Sequence, residues 1–360
     1  MIRKHMVMLL SLGILIGFLL IPQSGASAAA KGPRFKTYGQ ALGYAMKNHP
    51  AALNLGTVEY TPGQLKAIRD ALPENAKMDF TTTWKNCQFS GSSKTVDLRK
   101  ITHTPTLEDL DAIVTVCPQC TLVNIFCGHS PSNTVMGTLQ NRYPKVSFNW
   151  KIVIWGTDYY LASMATTFST FIGDKTDSRL SNSQLEVLKY CKNLRALDLG
   201  HNNLYSLDFL KYVPKLEMLI VACNHLIDIS PIATLKNLKY LEIFTNKITD
   251  LSPLASCTEL MDLNIANIRI TSLAPLDSLT KLQRLWAIDC KSLSRAEINR
   301  FQKTHPACKV ASSYKKAGWS WRNHNRYYHY RWCLLHNRWI PFDKPLPDKT
   351  YNQKYIHGAY

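Results

Sequence analysis

The chain has 360 residues, 46% of them hydrophobic, and a formal net charge of +18 at pH 7. That content is enough to bury a sizeable core, and it excludes a chain disordered throughout. The charge is concentrated at the end, where 309–360 hold ten basic and two acidic residues, an asymmetry that points to anionic surfaces.

Residues 1–28 read as a secretory signal peptide. Arg3 and Lys4 open it, an apolar run follows from Met6 to Ile21, and Ala26-Ser27-Ala28 has the small-residue cleavage form. The alternative is an uncleaved anchor, because the apolar run slightly exceeds the usual length. No later segment is apolar for long enough to span a bilayer. Export also removes nucleic acid as an expected partner.

Residues 31–160 repeat one motif at variable length. Helical spacing at Leu65/Ile68/Leu72, Leu107/Leu110/Ile113/Val114 and Val135/Leu139 is followed each time by a proline and a short β-prone run. These runs are LPENAKMDF (72–80), CPQCTLVNI (117–125) and YPKVSFNW (143–150), and HPACKV (305–310) repeats the form later. Two architectures fit: irregular, longer repeats stacked on those that follow, or a separate α/β cap. Residues 161–179 have no period and read as an irregular joint.

From 180 to 311 the pattern becomes regular. Leu194, Leu216, Leu238, Leu260 and Leu282 each stand 22 residues after the last, and the first unit places Leu197, Leu199, Asn202 and Leu204 behind Leu194. This is the L-x-x-L-x-L-x-x-N-x-L template of a leucine-rich repeat, and a fixed period of this length predicts a solenoid. One unit cannot bury its leucines alone, whereas stacked units share a continuous core. The asparagine position (Asn202, Asn224, Asn246) turns the chain out of the strand, and its amide can pair backbone groups that stacked turns would otherwise bury. Ile268 and Cys290 take that position in the last two units. Asp228-Ile229-Ser230-Pro231 and Asp250-Leu251-Ser252-Pro253 open short convex helical turns. The expected fold is therefore α/β, with a parallel sheet on the concave face and short helical turns on the convex face.

Units of 22 residues carrying Asn246-Lys247-Ile248-Thr249-Asp250-Leu251-Ser252-Pro253-Leu254 resemble the internalin-like leucine-rich repeat proteins of bacteria. The resemblance covers about 180–310. It implies a secreted or surface-attached binding protein.

Ten cysteines in an exported chain would ordinarily imply disulfides. Cys191 and Cys257 share a repeat position three units apart, as do Cys223 and Cys290. At about 4.8 Å per stacked strand each pair is roughly 14 Å apart, beyond the ~7 Å reach of a disulfide. These four are expected as free thiols. Cys117-Pro118-Gln119-Cys120 sits at a helix end rather than opening a helix, which favours a structural role over a redox pair. No nucleophile elbow, metalloprotease motif or phosphate loop is present, so no catalytic residue, metal or cofactor is assigned. An exported enzyme with a cryptic site is a remote alternative.

Odd strand positions should line the inner surface of the solenoid. They gather Met218, Ile220, Tyr240, Glu242, Phe244, Asp262, Asn264, Arg284 and Trp286, an apolar cluster with polar neighbours of the kind that marks an interaction site. The expected ligand is a protein or peptide on this face; the competing expectation is that the tail or the N-terminal part covers it. The tail itself, 312–360, interleaves Trp319, Trp321, Arg322, Arg326, Tyr328, Arg331 and Trp332. Its alternation of period two predicts a short hairpin that seals the last repeat. Its stacking planes and cations also suit glycans or anionic envelope polymers, and a scaffold held to the envelope through this tail is the alternative to a binding module.

Overall fold

The computed structural model describes residues 33–170, 179–313 and 320–347. The signal-peptide expectation for 1–28 lies outside the described residues.

The N-terminal part begins with helix α1 (Tyr38–Asn48), capped by Thr37, and strand β1 (Ala52–Val58). Helix α2 (Pro62–Asp70) is fixed at its start by a reciprocal Thr61/Gln64 cap and leads to β2 (Lys77–Trp84), parallel to β1. Lys85 and Asn86, both left-handed, then turn the chain into β3 (Cys87–Ser90), antiparallel to β2. A second run follows: β4 (Thr95–Asp97), α3 (Leu107–Val116), β5 (Leu122–Ile125), α4 (Asn133–Arg142) and β6 (Ser147–Val153). These three strands are parallel, and β7 (Tyr160–Ala162) closes them antiparallel. The strand–helix–strand units expected from the helix–proline–strand pattern are present. The antiparallel returns of β3 and β7, which no proline announced, divide them into sheets of three and four strands.

The regular part is a seven-stranded parallel sheet in chain order: β8 (Thr167–Ser169), β9 (Ala196–Asp198), β10 (Met218–Ile220), β11 (Tyr240–Glu242), β12 (Asp262–Asn264), β13 (Arg284–Trp286) and β14 (Lys309–Ala311). Leu197, Leu219, Leu241, Leu263 and Leu285 stand in register as a central column. The segment 161–179, expected as an irregular joint, supplies β8, the first rung of this sheet. The last rung is also irregular: helix α5 (Arg295–Thr304) replaces the short 3-10 turn that crosses the convex side of the other units.

Three residues beyond each of β9 to β13 stands one left-handed residue, at His201, Cys223, Thr245, Asn267 and Asp289, each 22 after the last. The next residue in the first three units is the ladder asparagine. Asn224 Oδ1 accepts from Leu204 N (3.0 Å), while its amide donates to the Leu199, Val221 and Ala222 carbonyls. Asn246 repeats the set one unit on. In the fifth unit Cys290 keeps one bond of it, its thiol donating to Ile265 O at 3.0 Å. That carbonyl lies 25 residues back, the same offset as Asn224 to Leu199 and Asn246 to Val221.

The interior core runs without a break from Leu65 to Cys308, so the N-terminal part and the repeats bury their apolar faces together. All ten cysteines are free thiols. The four for which stacking geometry excluded pairing include Cys191, whose thiol burial pushes up to about 12. Cys117, raised to about 12 by burial, donates to Ser90 O, and Cys120 donates to Leu122 O. They serve as small buried side chains at a helix end.

Candidate binding groove on the concave sheet

Every odd position predicted for the inner surface lies there, but the surface is not open to solvent. Met218, Ile220, Tyr240, Glu242, Asp262, Asn264, Arg284 and Trp286 are buried, and Phe244 is half-buried. What covers them is the chain's own C-terminal segment. The expectation of an open concave face is therefore corrected in favour of the competing one, that the tail covers it. Trp321, Tyr330 and Trp332 of the tail are buried rather than presented to a polymer.

Residues Asn325–Leu335 form helix α6, begun by His324, whose Nδ1 accepts from Arg326 N (3.2 Å). The hairpin expected from period-two alternation does not form. Aromatic residues at Tyr327 and Tyr330 with Leu334 follow the i, i+3, i+7 spacing of a helix face, and that spacing wins because it lays all three against the sheet. Trp321 and Trp332 are buried, while Arg322, Arg326, Tyr328 and Arg331 are half-buried. Trp319 lies outside the described residues. The second apolar cluster joins Ala196, Met218, Ile220, Tyr240 and Trp286 of the sheet to Trp321, Tyr330 and Leu334 of the tail, separately from the interior core. Tyr240 is its centre, with ring centroids of Tyr330 and Trp321 at 4.8 and 5.6 Å.

Three acidic side chains of the sheet grip this segment. Glu242 accepts from Trp321 Nε1 (2.9 Å), from the Tyr240 hydroxyl and from Tyr330 Oη (3.5 Å). Asp262 accepts from Arg284 Nε (2.7 Å) on the next strand and from Arg326 Nε (2.5 Å) and Nη2 (2.6 Å) of the tail. Arg284 in turn donates to Trp321 O (3.1 Å), with its guanidinium 4.3 Å from the centre of the indole. Glu217, at the rim, accepts from Trp339 Nε1 (3.2 Å) and Lys239 Nζ (2.9 Å). Glu217, Trp339 and Tyr330 had no place among the expected site residues. The even strand position of Glu217 and the distance in sequence of both tail residues kept them out of reach of repeat counting.

The electrostatics of the two central acids differ. Burial raises the Glu242 carboxyl, and hydrogen bonds from Tyr240 and Trp321 offset only part of that. Burial also acts to raise Asp262, but the hydrogen bonds from Arg326 and Arg284 outweigh it and hold the group below its ordinary value. Burial and then the neighbouring Arg284 and Arg326 push the His324 imidazole down to about 4. Asp198, on β9, is raised by burial although Gly200 N donates to it.

A family model described as leucine-rich repeats in two copies matches 214–256. With the 22-residue register, the central leucine column and the asparagine ladder, this decides the architecture. The chain is a leucine-rich repeat solenoid. Among solved structures, similarity is found to internalin C2 of Listeria monocytogenes, 27% identical over 41% of this chain and 70% of that one, with a TM-score of 0.33. Internalin F of the same organism is 16% identical over 72% of this chain and 66% of that one (TM-score 0.31). A leucine-rich repeat protein of Leptospira interrogans is 16% identical over 72% and 71% (TM-score 0.34). Superpositions at these scores match parts of the molecules and leave the assignment to the repeat geometry. No curated protein matches the chain. No helix among the described residues is long and apolar enough to cross a membrane.

Proposed function

We propose that this leucine-rich repeat scaffold is a secreted, non-enzymatic binding module whose concave face recognises a peptide segment of a protein, with its own C-terminal segment as the present occupant. The observation that carries the reading is the pairing of Asp262 with Arg326 beside that of Glu242 with Trp321. These are side-chain-specific contacts of the kind that select one peptide over another, with a buried aromatic anchor and a doubly hydrogen-bonded arginine at the centre. The groove and its occupant also form an apolar cluster of their own, apart from the interior core. An outside partner would then compete with a segment tethered at an effective concentration of order millimolar.

The test uses the full chain with Trp321→Ala and Arg326→Glu, which loosens the cis contact, and a labelled peptide of sequence 320–347. The variant should bind the peptide saturably while the parent chain, its groove filled, binds none at the same concentration. A folded variant that ignores the peptide would refute the reading. The alternative, an envelope scaffold held by the tail, is disfavoured by the inward burial of Trp321 and Trp332.

A further inference from the structure

One lateral edge of the solenoid, outside the groove, carries a column of three cations headed by a histidine. At the tenth position of successive units stand His225, Lys247, Arg269 and Lys291, each 22 residues after the last. The backbone holds the first three in step: His225 N donates to Leu204 O (2.9 Å), Lys247 N to Leu226 O (2.8 Å) and Arg269 N to Ile248 O (3.1 Å). Neighbours in such a ladder sit about 4.8 Å apart along the solenoid axis. Lys247, Arg269 and Lys291 are exposed, and none makes an ion pair among the described residues.

This arrangement is unlike the other lateral edge. There acids and cations of neighbouring units face each other and close the pairs Lys239–Glu217 and Lys281–Glu259. Like charges directly opposite across a ladder destabilise it, so a column of three cations costs the fold something that the other edge avoids. Acids lie nearby without closing an ion pair on the column among the described residues: Asp228 and Asp250 accept from Ser230 and Ser252 to open the convex turns, and the exposed Asp289 stands two residues before Lys291. At the upstream end, Tyr205 is exposed with its ring stacked on His225, centroids 4.9 Å apart.

We propose that this edge binds a linear acidic polysaccharide lying along the solenoid axis, with its acid groups on Lys247, Arg269 and Lys291 and a sugar ring on the Tyr205–His225 stack. A sugar unit is about as long as one strand-to-strand step, so an acidic glycan can present one anion per rung. The exposed Thr245 and Asn267, joined side chain to side chain at 3.3 Å, add hydroxyl and amide partners next to the cations. The tyrosine face supplies the stacking plane that a simple counter-ion would not need.

The experiment is calorimetric titration of the full chain with polygalacturonate, with neutral dextran and poly(dT) as the other arms. The expected result is binding to polygalacturonate that exceeds poly(dT) at equal charge, with none to dextran. Lys247→Glu/Arg269→Glu/Lys291→Glu should weaken it by roughly tenfold or more, with a melting temperature equal to or above that of the parent. A control with Lys192→Glu/Lys236→Glu/Lys303→Glu, equal in charge and elsewhere on the surface, should keep its affinity. Equal losses in the two triple variants, tighter binding to poly(dT), or no polygalacturonate binding by the parent would each overturn the proposal. Tyr205→Ala separates stacking from charge: unchanged affinity removes the sugar-ring contact and with it the glycan.

Discussion

Asp262 and Arg326, 64 residues apart in the chain, meet through two hydrogen bonds of 2.5 and 2.6 Å, at a carboxylate with no solvent exposure. The same carboxylate holds Arg284, which is 2% exposed. A buried pair adds little net stability when intact, yet removing one partner strands the other. Asp262→Ala should therefore cost about 3–5 kcal/mol, because two guanidinium groups lose their anion. Arg326→Ala leaves the Asp262–Arg284 pair in place and should cost less, about 1–3 kcal/mol. Urea midpoints would give both values. Limited proteolysis should cut within 320–347 in each variant before the repeats are touched. Repeats and tail cut together would show that the groove and the interior core unfold as one unit.

Glu242 gives a pH dependence whose sign follows from burial. Its folded-state pKa is raised above the ordinary value of 4.5. Below that value the group is neutral in both states, and as pH rises through it the unfolded chain ionises first. Stability then falls until the folded group ionises as well. Asp262 acts in the opposite sense: lowered from 3.8, it adds stability that is present above that value and lost as pH falls through the folded value. Glu242→Gln keeps an oxygen acceptor for Trp321 and removes the buried charge. It should raise stability at neutral pH by about 1–2 kcal/mol, and the gain should vanish near pH 4. Melting temperature against pH for variant and parent measures this, and a gain that is constant across the range would place the effect in packing instead.

The interior of this molecule was legible because its rules are local. Leu238, Leu241, Ile243 and Asn246 are assigned by spacing within one unit, and the parallel register of Leu241 with Leu219 and Leu263 follows from repetition alone. The inner surface obeyed the same counting, so the residues of the candidate groove were found. Their state stayed open between an exposed face and one covered by the tail or the N-terminal part, since it depends on what lies across them. Tyr240 is buried by Tyr330, 90 positions later, and nothing in either unit encodes that meeting. The tail was misread for a related reason: Trp319/Trp321 and Tyr328/Tyr330/Trp332 satisfy period two, while Tyr327/Tyr330/Leu334 satisfy the helical period. Only the sheet beneath decides between them. Beta strands β3 and β7 were missed because three or four residues carry too little periodicity to count.

Thiol reactivity should follow burial rather than sequence spacing. Cys117, Cys191 and Cys308 are each pushed up to about 12 by burial, and Cys333 to about 11. A thiolate is the reactive form, so these four should resist iodoacetamide at neutral pH in the native state. Cys127 and Cys223 are half-buried and should be alkylated first. Mass spectrometry after short labelling, with and without denaturant, would order all ten. Early labelling of Cys117, or a Cys117–Cys120 disulfide in the native chain, would restore a redox role to that pair.

The asparagine ladder makes the last prediction, and it turns on what replaces asparagine. Asn224 closes four hydrogen bonds with backbone groups of two units while 6% exposed. Alanine at 224 strands the Leu204 amide alone, because the Leu199, Val221 and Ala222 carbonyls keep a donor each in Asn202, Asn246 and His201 N. Alanine at 246 strands both the Leu226 amide and the Ile243 carbonyl. At about 1–3 kcal/mol for each unsatisfied group, partly recovered by relaxation, a net loss of about 1–3 kcal/mol is expected for Asn224→Ala and about 2–4 kcal/mol for Asn246→Ala. Cys290 makes only the single bond to Ile265 O, so Cys290→Ala should cost about 1 kcal/mol. Ile268, 2% exposed, makes no side-chain hydrogen bond and should tolerate valine at about 0.5–1.5 kcal/mol, the cost of one buried methylene. The expected order is Asn246, then Asn224, then Cys290 and Ile268, read from urea midpoints of the four variants. A flat series would mean that strand stacking alone holds the turns and that the ladder asparagines are replaceable in every unit.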